Sequence, residues 1–270
     1  MSRLPSHSTK IFPGNGGPVR GHAYEHVAAE LREMILRGDL PAGSRLPGHA
    51  DLAQRYGVSE IVIRKAIDDL KGQGLVETRG RGGTIVRERP PVRRISMDRY
   101  LADAGPQTVP QTSFTRDAGI GWSEYRLDKA YQWISADPRL ADLFAVEPGT
   151  RVLERRFVFY ANGLPSQMSR SCLLADDVAG TAVADPKNEP WPGGNIAQLR
   201  TLNIEVDEIF EETTARMPDT EESTTLDIGS GIPVFSIVRR TLSQGRVVEV
   251  ADPIVIPSDR AIRVDRIVLT

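Results

Sequence analysis

Tyr24, Val27, Ala28, Leu31, Met34 and Ile35 recur at three- and four-residue spacing, while Glu30, Arg32, Glu33 and Arg37 fall off that stripe. Such spacing gathers apolar side chains on one face of a helix and predicts an amphipathic helix over 24–37, stopped by Gly38. A second short helix follows over 49–56, with Leu52 and Ala53 inward, and Gly57 breaks it. Ser59 is a good N-cap for a third helix, on which Ile63, Ala66, Ile67 and Leu70 share a face. The period then shortens from helix to strand. Leu75 to Thr78 and Thr84 to Val86 read as two strands around a Gly-rich turn that carries Arg79 and Arg81.

Residues 89–111 hold Pro90, Pro91, Pro106 and Pro110 and no sustained periodicity. They read as a linker with a short helix around Met97 to Asp103. Beyond them, strand-like runs are expected at 125–133, 152–160, 167–173, 209–217, 234–243 and 247–256, and helices at 138–144, 196–202 and 220–226. Asn162-Gly163 and Gln244-Gly245 are hairpin signals. Strands this dense, with hairpins and a few helices, predict an α+β domain built on an antiparallel sheet. The organisation expected is a mobile arm at 1–20, a first domain at 21–88, the linker at 89–111, and a second domain at 112–270.

Two short helices joined at a glycine, the second opening with polar residues, form a helix-turn-helix pattern, which places its second helix in the DNA major groove. On the third helix Ile61, Arg64, Lys65 and Asp68 lie opposite the core face. Cations there meet phosphates and base edges, and an apolar Ile61 suits a thymine methyl. The bland alternative is a solvated helix face with one stray isoleucine. The basic hairpin of Arg79, Arg81, Gly82 and Gly83 tips the balance toward DNA, because it stands where the wing of a winged helix stands. Its glycines fit neither the dinucleotide nor the P-loop spacing, and no helix follows them.

Charge adds little. Residues 1–90 hold 14 Lys and Arg against 10 Asp and Glu, and the remainder 20 against 26. A basic first part beside an acidic second part agrees with DNA binding by the first, but differences of this size arise by chance. The single cysteine, Cys172, forbids an intramolecular disulfide, and no run nears 18 apolar residues. Both point to a cytoplasmic protein without a membrane segment.

Residues 24–86 resemble the winged-helix domain of the GntR family of bacterial transcription regulators. The resemblance is carried by Gly38-Asp-Leu-Pro-Ala-Gly-Ser-Arg-Leu-Pro47, Leu52-Ala53, Tyr56-Gly-Val-Ser59, Arg64-Lys-Ala66, Leu70, Gly74-Leu75 and Gly82-Gly-Thr-Ile-Val86. It implies that Arg45, Ser59, Arg64 and the wing glycines approach DNA. Pro47, His49, Glu60, Ile61, Val62 and Lys65 complete the expected surface. The chain departs from the family at Ala50, Glu60 and Val62, where Arg, Arg and Thr are frequent. Glu60 repels phosphate but accepts from a cytosine amino group, so the operator sequence does not transfer from relatives.

The later part resembles the UTRA effector domain of the HutC subfamily, whose fold is similar to chorismate lyase. Val152-Leu-Glu-Arg-Arg156, Asn162-Gly-Leu-Pro165, Gly193-Gly194, Glu208, Glu211, Gly231-Ile-Pro-Val234, Arg239-Arg240, Gly245-Arg-Val-Val-Glu249 and Asp259-Arg260 carry it. The resemblance implies a small-molecule pocket and a homodimer, hence an operator with inverted repeats. Polar-effector members place two arginines where this chain has Phe157 and Phe159. Ser169 stands for a glutamate, Asn195 and Ala197 for a serine and a tyrosine, and Val255 for a tyrosine; Glu249 is retained. An arginine pair holds carboxylate or phosphate in a bidentate fork, and losing it predicts an effector larger and less anionic than a sugar phosphate, aromatic or hydrophobic in character. The alternative is that Phe157 and Phe159 merely fill a pocket that binds nothing.

Enzymatic readings fare worse. His7, His22, His26 and His49 all precede residue 50, so the second domain offers neither a Ser-His-Asp triad nor a histidine metal site. Glu211-Glu212 and Glu221-Glu222 are adjacent pairs rather than facing ones, and Cys172 reads as a small buried hydrophobe. No cofactor or metal is expected. A lyase-like enzyme acting on a small aromatic metabolite, or a dimeric DNA-binding protein without an effector, are the competing functions.

Overall fold

A computed structural model describes residues 23–78, 80, 83–87, 93–103 and 111–264. The chain divides into two compact units, residues 1–88 and 89–270. The expected arm at 1–20 lies outside the described residues, as do Arg79, Arg81 and Gly82.

In the first unit, helices α1 (Ala23–Arg37), α2 (His49–Tyr56) and α3 (Glu60–Gly72) precede the hairpin of β1 (Val76–Thr78) and β2 (Thr84–Val86). Leu31, Leu52, Ile63 and Leu70 are fully buried in one core with Val27, Ile67, Val76 and Val86. The helical stripe is thus what closes the unit. Gly57 ends α2 at φ 64°, a left-handed conformation that glycine adopts without penalty. Ser59 then caps α3, its hydroxyl accepting from the Val62 amide at 3.4 Å. Arg45 bridges to Ile85, so the turn before α2 forms part of the wing.

The second unit is an antiparallel six-stranded sheet. Its strands are β4 (Tyr125–Ser135), β5 (Arg151–Ala161), β6 (Leu164–Leu174), β7 (Glu208–Arg216), β8 (Val234–Ser243) and β9 (Arg246–Pro257), in spatial order β4-β5-β6-β9-β8-β7. Two three-stranded meanders therefore join through β6 and β9. Asn162 and Gln244 at φ 51° and 52°, followed by Gly163 and Gly245 at 77° and 74°, make the two-residue hairpins that the sequence predicts.

Period-2 alternation divides the sheet into two faces. On the back, α6 (Pro138–Phe144) covers Val152, Cys172 and Val250, and α9 (Thr220–Thr225) leads into Leu226, packed with Val234 and Val255. On the front, α7 (Ala175–Val178) and α8 (Gly194–Arg200) lie over Leu153, Leu173 and Val248.

The expected linker is different in the structure. Residues 93–95 form β3, which pairs in parallel with β10 (Ala261–Arg263), and Ile95 enters the core beside Ile237 and Ile254. After β3 come α4 (Arg99–Asp103) and α5 (Ser113–Ala118), the latter opened by a Thr112–Thr115 capping box. Strand β3 escapes a periodicity search because it is three residues long and its partner lies more than 160 positions away.

Candidate nucleic-acid interface and candidate effector cavity

The first site is a surface. Ser59, Glu60, Ile61, Arg64 and Lys65 are exposed and Val62 is half-buried, all on the opening turns of α3. Ile61 is 76% exposed, on a helix whose other isoleucines are buried. Lys65 is less free than its position suggests: its ammonium sits 3.8 Å from the centre of the Tyr24 ring on α1. Arg45 is exposed, and Pro47 and His49 are half-buried at the start of α2. A Cβ on Gly83 would stand 2.9 Å from the Arg45 Nε and Nη2. The wing glycine at φ 78° is thus where the Arg45 guanidinium lies across the hairpin. The turn before α2 and the wing thus meet at Arg45 and Gly83.

The second site is a cavity of about 110 Å³ on the front of the sheet. Five of the seven residues expected there line it: Phe157, Phe159, Ser169, Asn195 and Glu249. Ala197 and Val255 do not. On α8, positions 195 and 197 are about 200° apart around the axis, and Gln198, three residues on from Asn195, faces the cavity instead. On β9, Ile254 takes the front, and Val255 points to the back, buried with Leu226, Val234 and Met168. There it borders a second cavity of about 450 Å³ together with Arg156 and Arg170.

The walls of the front cavity are aromatic. Phe114 stands 5.2 Å from Phe159 and 5.6 Å from Tyr125, centre to centre, and Phe157 is 5.9 Å from Phe159. Trp191 also lines it. Its floor is a polar chain. Glu249, fully buried, accepts from Ser171 at 2.7 Å, from Thr241 at 2.7 Å, and from Arg239 on both oxygens at 3.0 and 3.2 Å. Arg239 also donates to the Tyr100 hydroxyl at 3.1 Å, and Tyr100 donates to Glu211 at 2.5 Å. Arg99 binds Glu211 and Asp117, each at 3.1 Å.

Burial alone would raise the Glu249 and Glu211 carboxyls; the surrounding arginines and hydroxyls outweigh it, and both are held below the ordinary carboxylate range. Burial pushes the Tyr100 hydroxyl up, and Asp117 too, despite Arg99 beside it.

The cavity is therefore not poor in arginine. Arg99 and Arg239 line it, and Arg155, 1% exposed, binds three lining residues: Gln198 at 2.7 Å, Ser171 at 2.8 Å, and Asn195. The alternation that sends Arg156 to the back face puts Arg155 beside Phe157 and Phe159, so Arg155 is legible in the sequence. Arg99 and Tyr100 are not, because they come from the stretch that reads as a linker. Cys172 is buried on the back face, its thiol pushed up to about 12 by burial. Among the described residues no group of three or more His, Cys, Asp or Glu is placed to hold a metal, and no helix is long and apolar enough to cross a membrane.

A winged helix with an exposed recognition face and an antiparallel sheet with a lined cavity define a DNA-binding regulator with a sensor domain. The comparisons agree. Residues 23–86 match the bacterial regulatory proteins of the gntR family, and residues 130–260 match the UTRA domain. A solved structure of a chain assigned to the GntR family is 31% identical, with a TM-score of 0.64, over 92% of this chain and 98% of that one. An HTH-type transcriptional regulator of Streptomyces coelicolor is 28% identical over 84% of this chain and 86% of its own length. The mannosyl-D-glycerate transport/metabolism system repressor MngR of Escherichia coli is 25% identical over 84% and 88%. The protein belongs to the GntR family, with the HutC-type pairing of a winged helix and a UTRA domain.

Proposed function

We propose that the protein is a homodimeric repressor whose α3 helices enter successive major-groove half-sites of an inverted-repeat operator, and whose grip on DNA is set by a small molecule in the front cavity. The observation that carries this reading is the exposure of Ser59, Glu60, Ile61, Arg64 and Lys65 on a helix whose opposite face, Ile63, Ala66, Ile67 and Leu70, is buried. The name of MngR as a repressor supports the direction of control. Such a protein is a cytoplasmic regulator rather than an enzyme, and its partners are duplex DNA, an effector and a second copy of itself.

The effector is less anionic than a sugar phosphate. Positions 157 and 159 are aromatic, and Arg239 and Arg99 are already engaged by Glu249, Glu211 and Asp117. Neither is left as one arm of a phosphate-binding fork. A ligand moves a two-state equilibrium only through different affinities for the two states. Helix α4 is the route by which it does so here: Arg99 and Tyr100 line the cavity and lie in the segment that leads from the first unit.

The test is selection of bound sequences from a random duplex pool by the full-length protein. An inverted repeat with half-sites about 34–36 Å apart, or a multiple of that, is expected. Enrichment of no sequence, or of a single unrepeated site bound by a monomer, would overturn the reading.

A further inference from the structure

We infer that the effector is a small flat monocarboxylate, one conjugated ring in size, held by its carboxylate near Asn195 and Arg155 and by its face against Phe157 and Phe159. The inference rests on the proposal that the front cavity is the sensing site.

The first argument is an imbalance of donors over acceptors. Among atoms that are buried and without a hydrogen-bond partner are Asn195 Nδ2, Arg155 Nε, Arg239 Nε and Arg99 Nε. All four are donors. The acceptors around them are used: Glu249 already takes four hydrogen bonds, about the capacity of a carboxylate. The Ser171 hydroxyl accepts from Arg155 and donates to Glu249. Gln198 Oε1 accepts from Arg155 while its amide donates to Glu189. Buried donors without partners are costly, and a ligand that brings acceptors relieves them.

The second argument is charge. Arg155 is the most deeply buried arginine at the cavity, and its three hydrogen bonds all go to neutral groups. The carboxylate it reaches through Ser171 is Glu249, which already pairs with Arg239. Arg155 meets carboxylates only at second hand, Glu249 through Ser171 and Glu189 through Gln198, and a buried guanidinium without a carboxylate in direct contact calls for an anion. One charge is wanted rather than two, because Arg239 is committed to Glu249.

The third argument is shape. Phe114, Tyr125, Phe157 and Phe159 form a continuous wall with ring centres 5.2–6.4 Å apart. Offset or edge-on aromatic contacts favour a flat conjugated partner over a puckered polyol. A volume of 110 Å³ is near that of cavities that admit a benzene-sized molecule, roughly 150 Å³.

Calorimetric titration of the full-length protein with benzoate, benzamide, cyclohexanecarboxylate and glucose 6-phosphate tests this. Benzoate is expected to bind at least tenfold more tightly than isosteric benzamide and more tightly than the saturated ring, with glucose 6-phosphate weakest. Asn195→Asp keeps the acceptor that Arg155 uses and places a negative charge where the carboxylate belongs. It should weaken benzoate at least tenfold without lowering the urea midpoint. Equal binding of benzamide, tighter binding of glucose 6-phosphate, or binding of none of the four overturns the inference. Release from the selected operator separates the two claims. If benzamide or the sugar phosphate releases DNA, the sensing role stands and the monocarboxylate falls. If benzoate binds and operator affinity does not move, the ligand class stands and the sensing role falls.

Discussion

The two units solve recognition in opposite ways. In the first, the candidate interface centres on the opening turns of one helix, from Ser59 to Lys65, joined by the turn at Arg45–His49 and the wing at Gly83. In the second, the cavity draws side chains from α4, α5, β4, β5, β6, α8, β8 and β9, from Arg99 to Ile254. A local site depends on helix geometry and a cap. A distributed one depends on strand register, and a shift of one residue moves a side chain to the other face. The same contrast appears in the energetics. The α3 surface leaves its charges in water, where they contribute little to stability, whereas the cavity floor is a buried ion network that needs every member.

That contrast can be broken at its strongest point first. Trp122, Trp133 and Trp191, the only tryptophans, all lie in the second unit, so their emission reports its unfolding alone. Glu249→Leu removes the carboxylate paired with buried Arg239 and should cost the second unit about 3–5 kcal/mol in urea denaturation followed by Trp emission. A loss under about 1 kcal/mol would mean that the floor does not depend on its carboxylate.

Acid should act on the same unit. The Glu249 and Glu211 carboxyls titrate below their ordinary 4.5 in the folded chain, so their stabilisation is complete above about pH 4.5 and is lost as pH falls through the lowered values. Asp117 runs the other way, raised above 3.8 mainly by burial, so its proton uptake favours the folded state and partly offsets the loss. The Trp-detected midpoint should therefore decline as pH falls below 4.5; a midpoint that rises there would contradict the network. Ser59→Ala is the smaller, local counterpart. It removes the cap of α3 and should cost about 1 kcal/mol, read as faster hydrogen exchange of the α3 amides with the Trp-detected midpoint unchanged. A shift of that midpoint would show that the units are not independent.

Legibility in the sequence follows the same division. The first unit could be read almost element by element, because Gly57, Ser59 and the stripe of Ile63, Ala66, Ile67 and Leu70 act within a few residues of one another. The long strands and both hairpin turns of the second unit were equally plain. Of the short pieces, the helix expected around Met97 to Asp103 is α4, but β3 carries no periodic signal, and the place of both against β10 and the cavity is set by contacts far along the chain. In the cavity, the resemblance points to Phe157 and Phe159, and strand alternation applied to them yields Arg155. Ala197 and Val255 were misplaced because position in a resembling chain is preserved more loosely than face. Helix phase moves the facing residue to Gln198, and irregular β6–β9 pairing between Ser169 and Ser171 lies beside the site where Ile254 faces forward.

The central claim is that α3 reads DNA, and the affinity of Arg64→Ala for the selected operator tests it most directly. Arg64 is exposed and belongs to no core, so its loss should leave folding intact. Fluorescence anisotropy with labelled duplex, at one fixed salt concentration, should show binding weakened about tenfold, roughly 1.4 kcal/mol, for a single base contact. Operator affinity equal to that of the unaltered protein would contradict the account.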